Sequence, residues 1–557
     1  MRILSTCLAI AFASILAAVP ASATDLKGHV LGAGAPIANS TVTLWAASAG
    51  EPKQLAQTKS GSDGRFELGL DRIGVRIEEV IGKDVILYLV AKGGMAAAAK
   101  GSNDNPAIGL MTVLNDKPPS EVVVNELTTV ASVFTAARFI NGESISGSPL
   151  GLRIAAGNAP NLVDPATGGW GKVLLDPLNS TQTTTLATLN TLGSLISASF
   201  TVANDDWRAR FYKAATPPSG VTPKNTIEAI AGIAREPWAH PKDLYALFDE
   251  AYPQPKDGSR RAAPFVPYLL YSPPDFALML AFAGGGVYSP GRLMFDANGN
   301  LWSGQNWMAG SQSGAINNIG GGVVKLAPNG TPLSPPITGF TGMGLDGDGW
   351  GTAVTLDKVW ASSFNGKILV LDFDGRPIGS ESDFPFKEKL FGLMGIGVAA
   401  NGDVWISEGP NNRLLYFPGG HVKEGRIVNV VGLKSPFDIV IDDQNRVWVS
   451  NSQSDTVLRF PATDPSKVET FRVGIAVRAL ALDSKGNVWV ASNLDLKTPP
   501  PKVPDGASIM EQFKIAATYA NKYTTTTGPT GAINMIPMVA RWRRWASPAQ
   551  RLMFRGA

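Results

Sequence analysis

Tryptophan returns in the same surroundings five times in the second half of the chain, and this repeat limits the possible folds more than any other feature. Asp296-Ala297-Asn298-Gly299-Asn300-Leu301-Trp302 is one copy, and Ala399-Ala400-Asn401-Gly402-Asp403-Val404-Trp405 is another. Asp442-Asp443-Gln444-Asn445-Arg446-Val447-Trp448 and Asp483-Ser484-Lys485-Gly486-Asn487-Val488-Trp489 follow, with Leu356-Asp357-Lys358-Val359-Trp360 as a shortened member. From Trp360 onward the spacing settles to 45, 43 and 41 residues, the length of one four-stranded propeller blade. Within a copy an alternating strand such as Phe437 to Ile441 meets a tight polar turn and returns through Val447-Trp448-Val449. A further strand comes later, as in Leu414 to Phe417 or Val457 to Phe460. The large indoles are expected to pack between neighbouring sheets, so Trp302, Trp360, Trp405, Trp448 and Trp489 are read as blade core rather than ligand sites. The expectation is a mainly β chain whose residues 281–536 form propeller blades, preceded by a small β-sandwich and an irregular helical segment.

The sandwich is expected over 25–95. Ser40 to Trp45 alternates, Ser62-Asp63-Gly64 is a hairpin turn, and Val85 to Val90 is a closing strand. Its G-x-V start, P-I-A-N-S-T-V-T-L strand and S-D-G-R-F-E-L hairpin resemble the transthyretin-like, carboxypeptidase regulatory-like domain, which implies a spacing or adhesive module without chemistry of its own. Over 96–280 apolar residues fall at helical spacing in Val122 to Ile140 and Thr183 to Ser199, with shorter candidates at Thr226 to Ala234 and Asp243 to Ala251. Gly/Pro/Asn-rich stretches lie between them, and Pro253 to Pro267 reads as a linker.

Residues 1–23 read as a signal peptide: Arg2, an apolar run from Leu4 to Val19, and Ala21-Ser22-Ala23 as the cleavage site. The expected location is secreted or periplasmic, with no span after cleavage. Cys7 is the single cysteine and leaves with the signal, so the mature chain forms no disulfide or thiolate metal site. Without Arg2 the net charge is +2, but five arginines, Arg541, Arg543, Arg544, Arg551 and Arg555, lie in the last 17 residues and the remainder is −3. The basic balance belongs to the tail, which argues against a nucleic-acid partner for the body. After Trp489, Pro499-Pro500-Pro501 and a helical pattern over 508–519 precede the next strand at Gly531 to Ile536. Residues 537–557 form an atypical basic tail without an acidic residue, read as the product of a frame change or as a cationic, aromatic peptide for a membrane surface or partner.

The pattern P-x-x-I-x-x-D-x-x-G-N-x-W-V with a following I/L-x-x-F strand resembles the NHL-repeat propellers and their relatives, the streptogramin lyases and the SMP-30/gluconolactonase group. That resemblance implies a propeller fold and, in its enzymes, a divalent cation at the channel. Trp405-Ile406-Ser407-Glu408 is similar to the lyases' W-F-T-E element, whereas His29, His240 and His421 do not pair at equivalent blade positions. For a lactonase-like cation, Glu408, Asn451 and Asp438 are the candidate ligands, with Asn493 and Asp455 beside them. Gln305, Ser363 and Asn306 hold the corresponding places in other copies. Catalytic residues cannot be assigned, and Asp346-Gly347-Asp348-Gly349 reads as a turn. Three readings are open: an exported, non-catalytic binding or scaffold protein that recognises a protein, peptide or glycan and needs no cofactor; a Ca- or Mg-dependent lyase or lactonase; and a structural envelope component.

Overall fold

The computed structural model describes residues 26–69, 85–99, 104–114, 118–202, 204–218, 220–288, 290–305, 322–345, 350–483, 485–494 and 532–536, with scattered positions from 504 to 518. The signal peptide, the 537–557 tail, Asn306, the 346–349 turn and most of the 508–519 helix lie outside the described residues. The chain divides into two compact units, Met1–Leu280 and Ala281–Ala557. No helix among the described residues is long and apolar enough to cross a membrane.

The first unit begins with β1 (Leu26–Gly32), β2 (Ala35–Ala38), β3 (Thr41–Ala47), β4 (Lys53–Lys59), β5 (Arg65–Leu68), β6 (Ile86–Lys92) and β7 (Met95–Ala96). β8 (Gly109–Leu114) and β9 (Glu121–Val124) follow. One sheet has the order β5-β1-β2-β7 with β9 running parallel to β1, and the other is β4-β3-β6-β8. Both sheets therefore take a strand from beyond residue 95, where the sequence pattern places the end of the sandwich. The helical reading of Val122 to Ile140 also changes at its start: the β-branched run Val122-Val123-Val124 pairs with β1, and Asn125 then caps α1 (Glu126–Ala136) in a capping box with Thr128.

A hairpin, β10 (Ile140–Asn141) with β11 (Ser144–Ile145), leads to α2 (Pro149–Leu162), α3 (Lys172–Leu175), α4 (Pro177–Ser180) and α5 (Thr185–Thr201). Three more helices, α6 (Asp205–Ala214), α7 (Thr226–Arg235) and α8 (Pro241–Ala251), complete the unit. Sheets and helices share one apolar core from Leu26 to Phe276, so β6 is buried on both faces and 96–280 does not form a core of its own. Within that core Glu126 is fully buried. One carboxyl oxygen accepts from Ala33 N (2.6 Å) and from Ser197 Oγ, and the other has no partner. Burial pushes this carboxyl above its ordinary range, against the pull of those two donors.

The second unit is five successive antiparallel sheets. Sheet 1 is β12 (Pro290–Phe295), β13 (Leu301–Gln305) and β14 (Val324–Leu326); sheet 2 is β15 (Thr352–Val354), β16 (Val359–Ser362) and β17 (Ile368–Leu371). Sheet 3 is β18 (Leu393–Val398), β19 (Val404–Glu408), β20 (Arg413–Phe417) and β21 (Arg426–Val428). Sheet 4 is β22 (Pro436–Ile441), β23 (Arg446–Asn451), β24 (Thr456–Pro461) and β25 (Glu469–Arg472). Sheet 5 is β26 (Ile475–Leu482), β27 (Val488–Leu494) and β28 (Ala532–Ile536). Each is a meander in strand order, and each repeat tryptophan sits on the second strand of its sheet. This is the mainly β, propeller-type architecture.

Each indole is covered by the following sheet. Trp302 lies 6.3 Å from Phe373, Trp360 5.1 Å from Phe417, and Trp405 5.7 Å from Phe460, while Trp448 clusters with Val488 and Val490. These four are at most 1% exposed. Trp489, in the last described sheet, is the exception among the five and is only half-buried.

The repeated aspartate six residues before the tryptophan has a defined task. Asp296, Asp442 and Asp483 each accept the indole N–H of Trp302, Trp448 and Trp489 at 2.9, 2.8 and 2.9 Å, and each also holds N–H groups of its own turn. For Asp296 and Asp442 burial alone would raise the carboxyl, but the indole and turn donors outweigh it and hold both below their ordinary value of 3.8.

Two outcomes follow from these carboxyls. The unfolded chain ionises Glu126 more readily than the folded one, so stability falls as pH rises above 4.5, its ordinary value. Glu126→Gln keeps the Ser197 contact and removes that dependence; urea midpoints at about pH 5 and about pH 8 should lie closer together in the variant. Asp442 has the opposite sign, and its contribution is present above 3.8 and lost as pH falls through the depressed value. Asp442→Asn should therefore be less stable than the parent at about pH 7, with the gap closing towards about pH 2.

Candidate functional site

The first strands of the five sheets, β12, β15, β18, β22 and β26, pack in succession around a common axis. Backbones approach closely there. Arg292 N donates to Trp350 O at 3.0 Å, and a Cβ on Gly351 would lie 1.9 Å from Met394 O. A Cβ on Gly395 would lie 2.6 Å from Asp438 Cα, so neither glycine can be replaced without moving a strand. Relative to each tryptophan's cross-strand partner, Arg292, Gly351, Gly395, Asp438 and Ala479 occupy the same place, two residues earlier. Three are small, and the two large ones meet.

Arg292 from sheet 1 forms an ion pair with Asp438 of sheet 4, the side chains being 19% and 2% exposed. The same Arg292 nitrogen also donates to Ile439 O at 3.1 Å and Ile396 O at 3.4 Å. The other Asp438 oxygen accepts from Leu480 N of sheet 5 at 2.9 Å. One buried pair thus joins sheets 1, 3, 4 and 5. Burial pushes the Asp438 carboxyl up, against the Coulombic pull of Arg292.

A second set of bonds sews neighbouring sheets together. Two residues after the tryptophan, Ser362, Ser407 and Ser450 donate to Met394 O, Phe437 O (2.6 Å) and Arg478 O (2.6 Å) on the first strand of the next sheet. In sheet 1 that place is Gly304, whose N–H donates to Thr352 Oγ1 at 2.6 Å. In the last sheet it is Ala491.

The residue three places after the tryptophan also has a repeated structural task. Gln305, Glu408 and Asn451 accept the backbone N–H of Tyr288, Phe391 and Lys434, at 3.1, 3.0 and 2.9 Å, each 17 residues upstream in the segment that enters the first strand. Glu408 is fully buried, and it also accepts from Asn411 Nδ2 (2.8 Å) and pairs with Arg413, which reaches Glu388 as well. Asn451 donates to Gly432 O (3.0 Å) and Thr456 Oγ1 (2.9 Å). Glu408, Asn451 and Asp438 are not brought together as one ligand set: Asp438 faces the axis, and the other two close loops on sheets 3 and 4. Every side-chain oxygen of the three already accepts from a protein donor. Among the described residues no group of three or more His, Cys, Asp or Glu could hold a metal ion.

The remaining candidates are dispersed. Asp455 pairs with Arg472, Ser363 bonds Asn365, and the Asn493 side chain lies outside what is described. His29 accepts from Arg65 Nε at 3.1 Å, His240 precedes α8 with Nδ1 3.7 Å from Asp243, and His421 is exposed between turns. The sequence reading missed Arg292 and the serine two places after each tryptophan. The serines carry a visible signal, W-x-S in three of five copies, whereas Arg292 occurs in one copy only.

Arg292→Ala leaves Asp438 buried without its cation, and this should cost about 3–5 kcal/mol. Replacing both partners with apolar residues of similar size, as in Arg292→Met with Asp438→Leu, should recover most of that loss in chemical denaturation.

No protein-family model and no curated protein matches the chain. Among solved structures it is similar to a streptogramin B lyase, at 17% identity and a TM-score of 0.30, over 37% of this chain and 62% of that one. Virginiamycin B lyase from Staphylococcus aureus is similar at 14% identity and a TM-score of 0.29, over 36% of this chain and 61% of that one. A chain of the nidogen/laminin complex is similar at 13% identity and a TM-score of 0.25, over 33% and 64%. The chain thus spans about three fifths of the length of the two lyases.

Proposed function

We propose that this is an exported binding or scaffold protein that recognises a protein, peptide or glycan through its propeller unit, without catalysis and without a cofactor. One observation carries the reading: the polar side chains that a channel metal would need, Glu408, Asn451 and Asp438, already accept from Arg413, Lys434 N and Arg292. The axis, where propeller enzymes of the resembled type place their cation, is crossed here by an ion pair and by strands in backbone contact. A rigid scaffold with its polar groups consumed internally leaves loops and inter-sheet clefts for recognition. Export rests on the signal-like first residues.

Calorimetric titration of the purified chain with Ca²⁺ and Mg²⁺, run beside lyase and lactonase assays, is expected to show no metal heat and no metal-dependent turnover. Glycan and peptide arrays should show saturable binding. Turnover that requires a divalent ion and disappears in Glu408→Gln would replace this reading with the enzymatic one.

A further inference from the structure

One residue before the five axial places, the chain carries Gly291, Trp350, Met394, Phe437 and Arg478. In four of the sheets both places fall within a register shift of the first strand, between Pro290 and Leu293, Leu393 and Ile396, Pro436 and Ile439, and Val477 and Leu480. Such a bulge re-aims side chains. Phe437 and Asp438 are adjacent in sequence, yet both meet residues from other sheets. Asp438 pairs with Arg292, and Phe437 lies edge to face with Trp350, the ring centroids 4.7 Å apart. Arg478 of sheet 5 lays its guanidinium 4.9 Å over the Phe437 ring. Three side chains, one leading into sheet 2 and one each from sheets 4 and 5, thus gather at the entry end of the axis.

Arg478 differs from Arg292 in having no counter-charge. Among the described residues it forms no ion pair, and its side chain donates no hydrogen bond. Its Nε is sealed off from solvent without an acceptor, whereas Nη1 and Nη2 are not sealed and are the atoms a ligand can reach. Burial without a neighbouring acid pulls the guanidinium below its ordinary range. The face of Phe437 offsets part of that cost, because a ring quadrupole attracts a cation, but it leaves the in-plane N–H groups unbonded. A half-buried, unpaired cation with two reachable donors is completed by an anion.

Charge and surroundings narrow the anion. Arg292 and Asp438 cancel, so Arg478 leaves one positive charge in excess, which a monoanion balances and a phosphate dianion exceeds. A carboxylate presents two oxygens in one plane, matched to Nη1 and Nη2. The other filled places at this level are Trp350, Met394 and Phe437, two aromatic side chains and a thioether. Such a wall gains from an apolar body and gives the hydroxyls of a sugar acid little to bond. We propose that the entry end of the axis binds a monocarboxylate carried on an apolar body, held by Arg478 Nη1 and Nη2 and packed against Trp350, Met394 and Phe437. A free organic acid and the carboxyl end of a peptide chain both present this chemistry. The inference rests on the binding reading given above and names its site and ligand class.

The test is calorimetry and saturation-transfer NMR of the full chain at neutral pH with phenylacetate, hexanoate and their amides, and with glucuronate and inorganic phosphate as contrasts. A second arm uses short peptides ending in phenylalanine, with the carboxyl end free or amidated. Peptides that bind above the free acids assign the source to a chain end, and the reverse assigns it to a small acid. Arg478→Met keeps an apolar stem and removes the charge, while Arg478→Lys keeps the charge without the paired donors. At least one apolar acid or free-ended peptide should bind the parent, its amide about tenfold or more weaker, with a similar loss in Arg478→Met and a smaller one in Arg478→Lys. The melting temperature of Arg478→Met should stay at or above that of the parent, because the charge it removes is desolvated and unpaired. Should that variant unfold, the comparison of acid with amide in the parent decides. Absent carboxylate binding, equal affinity for acid and amide, unchanged affinity in Arg478→Met, or a preference for glucuronate or phosphate overturns the assignment. In those cases saturable binding on the glycan and peptide arrays keeps the functional reading, whereas metal-dependent turnover removes that reading itself.

Discussion

The Arg292–Asp438 pair at the axis is the constraint around which the second unit is arranged. Five strands converge at a spacing at which glycine is required twice, and only two full-sized side chains occupy the equivalent central places. A buried ion pair is not in itself a source of stability, because desolvation offsets much of the Coulombic gain. Its value here is geometric: one guanidinium and one carboxylate fix the relative positions of sheets that are far apart in sequence. The centre of the unit is thus crossed by protein groups that bond to one another.

The seams between sheets follow a common rule. An indole from one sheet is covered by the next; in three copies a carboxylate takes its N–H, and in three a serine two residues on reaches the next sheet's backbone. In the last described sheet Trp489 keeps its aspartate but is less buried, and the serine position holds Ala491. Variation within such a frame is informative for a physical reason: an unpaired buried donor costs free energy, so a copy that omits its internal acceptor bears that cost.

Polar residues after the tryptophan stand at matching positions in several copies, and converging ligands would look the same in one dimension. In three dimensions Gln305, Glu408 and Asn451 each fold back onto the segment entering their own sheet, satisfying one backbone N–H apiece. Matching positions in successive blades imply the same local duty, and convergence on one point needs residues that face the axis.

The sequence by itself determined the sheets of the second unit. Period-two alternation, a tight polar turn and a large aromatic at a spacing of 41 to 45 residues are all local, and locality is what a linear pattern records. It also indicated four of the eight described helices of the first unit through their apolar spacing, although the sandwich boundary at 95 and the start of α1 were decided by pairing partners: β8 and β9 become strands because β6 and β1 offer them edges. Tertiary structure alone decided which side chains meet. Arg292 and Asp438 are 146 residues apart and belong to one ion pair, and Phe437 and Arg478 sit on separate sheets and stack on each other. Contacts between elements distant along the chain depend on how sheets stack, and stacking is fixed by the sum of many burials rather than by any single stretch of residues.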